Sequence, residues 1–262
     1  MIQFDINRFG KLACWSLTND KRYFVKSFLQ IFVILLLAFL FLTMMHKVND
    51  SYSQNYKLCS IIVVLTFGVT VVMGSSYMFY SMENKHDMQN LLMLPASNFE
   101  KYLIRYATWI FLLPLYLVAF LFADLFQYFL HWALGFEHWT FVCTTLVDMV
   151  RELWRQMPVD AQHAAVNSVA LVVIWFHSVF ALGANFFRAR KHNWILTSIV
   201  IVLLTVLMMW IFPFEEHTSY KDTTTTDIIV TDVTTGMWAL LNFWLSYKLF
   251  CRRQVIGNFI NI

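Results

Sequence analysis

Six stretches of nearly uncharged apolar residues, at 27–45, 58–80, 106–130, 166–187, 194–212 and 233–250, constrain this chain more than any motif does. A helix rises about 1.5 Å per residue, so each stretch is long enough to cross a hydrocarbon layer about 30 Å thick. Lipid offers the backbone no hydrogen-bond partners, and the helix is the one open element that supplies its own. The expected fold is therefore all-α: a polytopic membrane protein with six transmembrane helices, forming a single transmembrane domain over 1–262. Composition excludes a water-soluble core, with 59% hydrophobic and 13% charged residues and a mean hydropathy of +0.59. The first run is a full span preceded by 26 residues, which sets it apart from a cleavable leader.

Basic residues orient the spans. Fourteen of the nineteen Lys and Arg fall before the first span, between the second and third, between the fourth and fifth, or after the last; five fall on the alternate side. By the positive-inside rule both termini are expected in the cytoplasm. The net charge of +3 then reports topology and gives no reason to expect a nucleic-acid partner. Trp and Tyr cluster near the span ends, where amphipathic rings anchor a helix at the interface. Four widely spaced cysteines with no CxxC pair suggest neither a metal site nor a disulfide framework. No cofactor and no catalytic residue is expected, because the chain carries no metal, nucleotide or nucleophile motif.

The connecting segments are more specific. Over 81–105, Met88, Leu91, Leu92 and Leu94 recur at helical spacing beside polar neighbours, which predicts a short amphipathic helix at the cytoplasmic face. Pro95 stops it, and Ser97 with Glu100 forms a capping box that starts the next helix. A helix, a break and a capped restart make a rigid knob. The segment 135–165 predicts an external amphipathic helix through Leu146, Val150 and Trp154, ended by Pro158. The second external segment, 215–235, is acidic and Thr-rich, and reads as a polar loop in which Ile229, Val230 and Val233 form a short extended piece.

Polar groups inside the spans are few. Asp124, Gln127 and His131 share a face of the third span near its outer end, where interfacial solvation is the expected state, with a substrate or proton pathway as the functional alternative. His177 is expected to pack helices, and Asn242 with Ser246 forms an i, i+4 pair suited to bridging helices. Gly68 and Gly74, with Ser75 and Ser76, offer a close-packing surface on the second span.

The stretch LPASNFEK at 94–101, together with FHSVFALGANFFRARKHNWILT at 176–197 and WLSYKLFCRRQV at 244–255, resembles the permease subunits of ABC-2-type transporters, especially compact Bacteroidetes-type members. The resemblance implies a bacterial cytoplasmic-membrane exporter subunit, a separate ATP-binding subunit and a second permease copy or paralogue beside it in the bilayer. It also implies that residues 88–94 form a coupling helix docking on the ATPase, followed by Pro95, Ser97 and Glu100, and that the amphipathic segment 5–25 within 1–26 is an interfacial elbow. A rival reading from the same residues is a membrane structural or assembly subunit that never transports.

Overall fold

The computed structural model describes residues 4–49, 52–80, 85–135, 140–187, 192–211 and 225–252. Ten α-helices follow in order among them: α1 Ile6–Asn19, α2 Lys21–Asn49, α3 Tyr52–Met73, α4 Lys85–Met93, α5 Asn98–Ile110, α6 Leu112–Ala133, α7 Val142–Gln156, α8 Val159–Phe186, α9 Asn193–Ile211 and α10 Thr225–Cys251. A 3-10 helix, Gly74–Phe79, extends α3. Six helical stretches are long and apolar enough to cross a membrane: Lys21–Leu42, Asn55–Phe79, Asn98–Ala133, Ala164–Phe186, Asn193–Ile211 and Thr226–Cys251. The chain is an all-α integral membrane protein.

Two compact units divide it. One comprises Leu17–Val71 and Ile110–Gln162, the other Met1–Ser16, Val72–Trp109 and His163–Ile262. In the first, α2 packs along α6. Its core joins Leu35 and Phe39 of α2 to Tyr56, Cys59 and Val63 of α3 and to Tyr116, Phe120 and Ala123 of α6. Fully buried Ala119 and Ala123 keep that face of α6 small, the usual device by which helices approach each other in lipid. Phe39 and Phe120 meet edge to face, ring centroids 6.5 Å apart.

In the second unit the core joins Met78 and Phe79 of the 3-10 helix to Leu91 of α4, Tyr102 of α5 and Phe250 of α10. Leu12 of α1 adds a smaller cluster with Ala96 and Ile104. Two glycines permit close approaches. A Cβ at Gly74 would lie 3.1 Å from a Trp109 ring carbon, and one at Gly183 of α8 would collide with the Thr197 side chain of α9. Among the described residues nothing lies within 4 Å of where a Gly68 Cβ would stand, so the expected packing surface on the second span narrows to Gly74 and the serines after it, in the 3-10 helix.

Several boundaries differ from the sequence expectation, each for a local reason. The third span breaks between α5 and α6 because Pro114 lacks an N–H and its ring opposes the carbonyl of Ile110. The expected extended piece at Ile229, Val230 and Val233 is helical, inside α10. There Thr231 Oγ1 donates to the Asp227 carbonyl at 2.8 Å and Ser168 Oγ of α8 donates to Asp232 at 2.9 Å, so the polar side chains are satisfied without leaving the helix. The acidic residues Glu215, Glu216 and Asp222 lie outside the described residues, as do 81–84 and 188–191. The amphipathic helix expected before Pro158 is α7, ending at Gln156.

Candidate coupling site and buried polar clusters

The capping box at the start of α5 forms in both directions. The Glu100 N–H donates to Ser97 Oγ at 3.2 Å, and the Ser97 N–H donates to Glu100 Oε2 at 2.7 Å. Glu100 does more than the spacing foretells. Arg8 of α1 donates to both its oxygens, Nε at 3.0 Å and Nη2 at 2.7 Å, and the Asp5 N–H donates to Oε1 at 2.8 Å. The carboxylate has no exposed surface, yet its cover is thin: the Arg8 side chain above it is 30% exposed. This hydrogen bond with Glu100 raises the Arg8 pKa above its ordinary value. Asp5 in turn caps α1, accepting the Asn7 N–H at 2.8 Å.

Two further charges of α5 hold helix ends. Lys101 Nζ donates to the Leu92 carbonyl at 2.7 Å, in the last turn of α4. Arg105 Nε donates to the Met78 carbonyl at 3.0 Å, near the end of the 3-10 helix, and Nη1 reaches Ser16 Oγ at 3.3 Å. Cations at helix C-termini complement the orphan carbonyls and the negative end of the dipole. Glu100, Lys101 and Arg105 thus tie α1, α4 and the 3-10 helix to α5. Arg8, Lys101 and Arg105 look like topology signals in sequence, and their i, i+4 spacing on α5 was the available hint for the last two.

The expected docking face needs correction. Leu91 is fully buried in the core, and Leu92 and Leu94 are half-buried against it, so these leucines attach α4 to its own unit. The Met88 side chain lies outside the described residues. What the knob leaves exposed is Met93, at 82%, with Pro95, Asn98 and Phe99. Beside it lies a hollow of about 510 Å³ lined by Phe4, Ala96, Ser97, Phe99, Tyr247 and Lys248.

Asp124, expected at a solvated interface, is 2% exposed. Its Oδ1 accepts the Val142 N–H at 2.8 Å and its Oδ2 the Cys143 N–H at 2.9 Å. The residue before α7, Phe141, has no capping side chain, and Asp124 of α6 supplies the missing acceptor from a distance in sequence. Gln127 and His131 are buried one and two turns on. Gln127 Nε2 donates to the Tyr56 hydroxyl at 3.1 Å and lies 2.9 Å from His131 Nδ1, which is 2.6 Å from the same hydroxyl. The three residues therefore join helices, α6 to α7 and α6 to α3.

His177 and Asn242 belong to the other unit. His177 is 4% exposed, its ring 4.4 Å from that of Trp109, and its carbonyl accepts Ser75 Oγ at 2.8 Å. Asn242 Nδ2 donates to Ser178 Oγ at 3.0 Å. Ser246 Oγ donates to the Ala181 carbonyl at 2.9 Å and receives Asn185 Nδ2 and the Tyr102 hydroxyl at 2.9 and 3.1 Å. The expected i, i+4 pair does bridge helices, α10 to α8 and, through Tyr102, to α5. Compared with family models, curated proteins and solved structures, the chain matches none.

Proposed function

We propose that this protein is the permease subunit of an ATP-driven ABC-type exporter of the ABC-2 kind, working beside a second permease copy or paralogue with ATP hydrolysis on a separate subunit. One observation carries the reading: a short helix, a proline break and a capped restart, α4 to α5, are locked into a rigid lever by Glu100, Lys101 and Arg105. A lever of this kind transmits a push from a partner into the long helix that follows it. A helix that only turns the chain around needs no such fastening. The surface available for the push is Met93, Pro95 and Phe99 with the adjoining hollow, since Leu91 serves the core. The uneven distribution of Lys and Arg, fourteen on the side of this segment and five on the other, supports a cytoplasmic position for this surface, on the side where ATP is.

The test is purification of the full chain from its native membrane in mild detergent, followed by identification of what stays bound. A nucleotide-binding subunit and ATP hydrolysis by the complex are expected. Met93→Asp with Phe99→Asp places charges on exposed positions, so the variant should fold and insert while losing the subunit. A wild-type chain that carries no ATPase, or a double variant that keeps it, overturns the reading.

A further inference from the structure

One face of α2 has a basic end, an apolar stripe and a lone amide between them. Lys21, Arg22, Val25, Lys26, Leu29, Gln30, Val33 and Ile34 line a groove of about 870 Å³, all from this helix, in rows one turn apart. All eight side chains are exposed, Leu29 at 52% and Ile34 at 58%. Lys21, Arg22 and Lys26 make no ion pair among the described residues, and Gln30 makes no hydrogen bond among them. An exposed amide on an otherwise apolar membrane helix is costly without a partner.

We infer that this groove binds one anionic phospholipid, its phosphate against Lys21, Arg22 and Lys26, its esters beside Leu29 and Gln30, and one acyl chain continuing along Val33 and Ile34. The dimensions agree. From Arg22 to Ile34 the helix rises about 18 Å, a length shared by the headgroup, the esters and the upper part of an acyl chain. Gln30 sits one turn beyond Lys26, about 6 Å along the axis, at the depth where the ester carbonyls follow the phosphate. Its amide N–H groups then meet an acceptor that lipid tails do not supply. Charge decides the headgroup: three cations with no ion pair among the described residues favour an anionic lipid over a zwitterionic one, and juxtamembrane Lys and Arg act in this way. A second copy packed on this face about a two-fold axis would set Lys21, Arg22 and Lys26 against the same cations of its partner, so charge favours the lipid. The inference requires only that α2 spans the bilayer, not the permease reading.

Native mass spectrometry of the full chain in mild detergent, titrated with dioleoylphosphatidylglycerol or dioleoylphosphatidylcholine, tests it. The wild type should hold one phosphatidylglycerol about tenfold or more in preference to phosphatidylcholine. Lys21→Gln, Arg22→Gln and Lys26→Gln together should abolish the preference. Lys26→Gln alone, which leaves Arg8, Lys11, Lys21 and Arg22 to orient the first span, should lower it several-fold. Gln30→Leu should weaken retention of both lipids and leave the preference intact. Arg151→Gln with Arg155→Gln, at exposed positions of α7, should change nothing. Equal retention of the two lipids by the wild type, an undiminished preference in Lys26→Gln, or a dimer that displaces the lipid from this face overturns the proposal.

Discussion

α5 and α7 begin alike, with unpaired N–H groups that need an acceptor, and solve the problem in opposite ways. At α5 the acceptors are Ser97 and Glu100, within the helix start itself, and Arg8 supplies a counter-charge to the carboxylate. At α7 the acceptor is Asp124, on another helix, held by the Val142 and Cys143 N–H groups. Both carboxylates are buried by area, but their surroundings differ. Glu100 lies under an arginine that is 30% exposed; Asp124 lies in the core that holds Val142, Tyr56 and Phe120. Local capping makes a helix start that survives alone. Remote capping makes one helix depend on another, and removing the remote cap should cost more, because water cannot replace it.

The sharpest way to break that contrast is Asp124→Ala. The Val142 and Cys143 N–H groups, one buried and one partly buried, would lose a charged acceptor, with about 1.5–3 kcal/mol at stake in each bond, so a loss of about 3–6 kcal/mol is expected. Denaturant titration in mixed micelles would measure it, and protease sensitivity should appear first around α7. A midpoint unchanged from wild type would mean that water reaches the α7 start. Asp124→Asn is milder, about 2–3 kcal/mol, because its oxygen still serves one N–H while its amide opposes the other. These outcomes follow from a buried Asp124, where interfacial solvation is the expectation from sequence.

Glu100→Ala tests the other side. It removes more hydrogen bonds than Asp124→Ala does, yet the expected loss is only about 1–2 kcal/mol, since partners near water are rehydrated and the ion pair is worth little where Arg8 is exposed. The same titration reads it. A cost equal to that of Asp124→Ala would show the thin cover over Glu100 to be as dry as the core.

Legibility in the sequence follows the same division. The six spans, α7 with its stop at Pro158, the Ser97 and Glu100 box and the Asn242 and Ser246 bridge all rest on periodicity or fixed short offsets, which sequence displays directly. Asp124 was visible as a polar residue at membrane depth, but nothing in its neighbourhood pointed 18 residues ahead to Val142. Leu91 shows the limit of periodicity: an apolar stripe on a short helix announces a face to be buried without saying against what. Its partners Tyr102 and Phe250 lie 11 and 159 residues away. The Thr-rich start of α10 failed differently, because β-branched residues favour extended backbone only until their hydroxyls find helix carbonyls.

Ser97→Ala is the smallest perturbation and the finest probe of local capping. It removes the acceptor for one N–H, that of Glu100, while the Glu100 carboxylate keeps its bonds to the Ser97 and Asp5 N–H groups and to Arg8. A single cap contributes about 1 kcal/mol, and the freed N–H is near enough to the surface to find water. The expected signature is a loss of about 1 kcal/mol confined to the first turn of α5, read as faster amide exchange at Glu100 with the α7 amides unaffected. Should protection fall along the whole of α4 and α5 instead, the capping box would be the fastener of the lever and Lys101 and Arg105 its accessories. Should it fall only at Glu100, the lever is held by its buried cations, and Lys101→Ala becomes the substitution that loosens it.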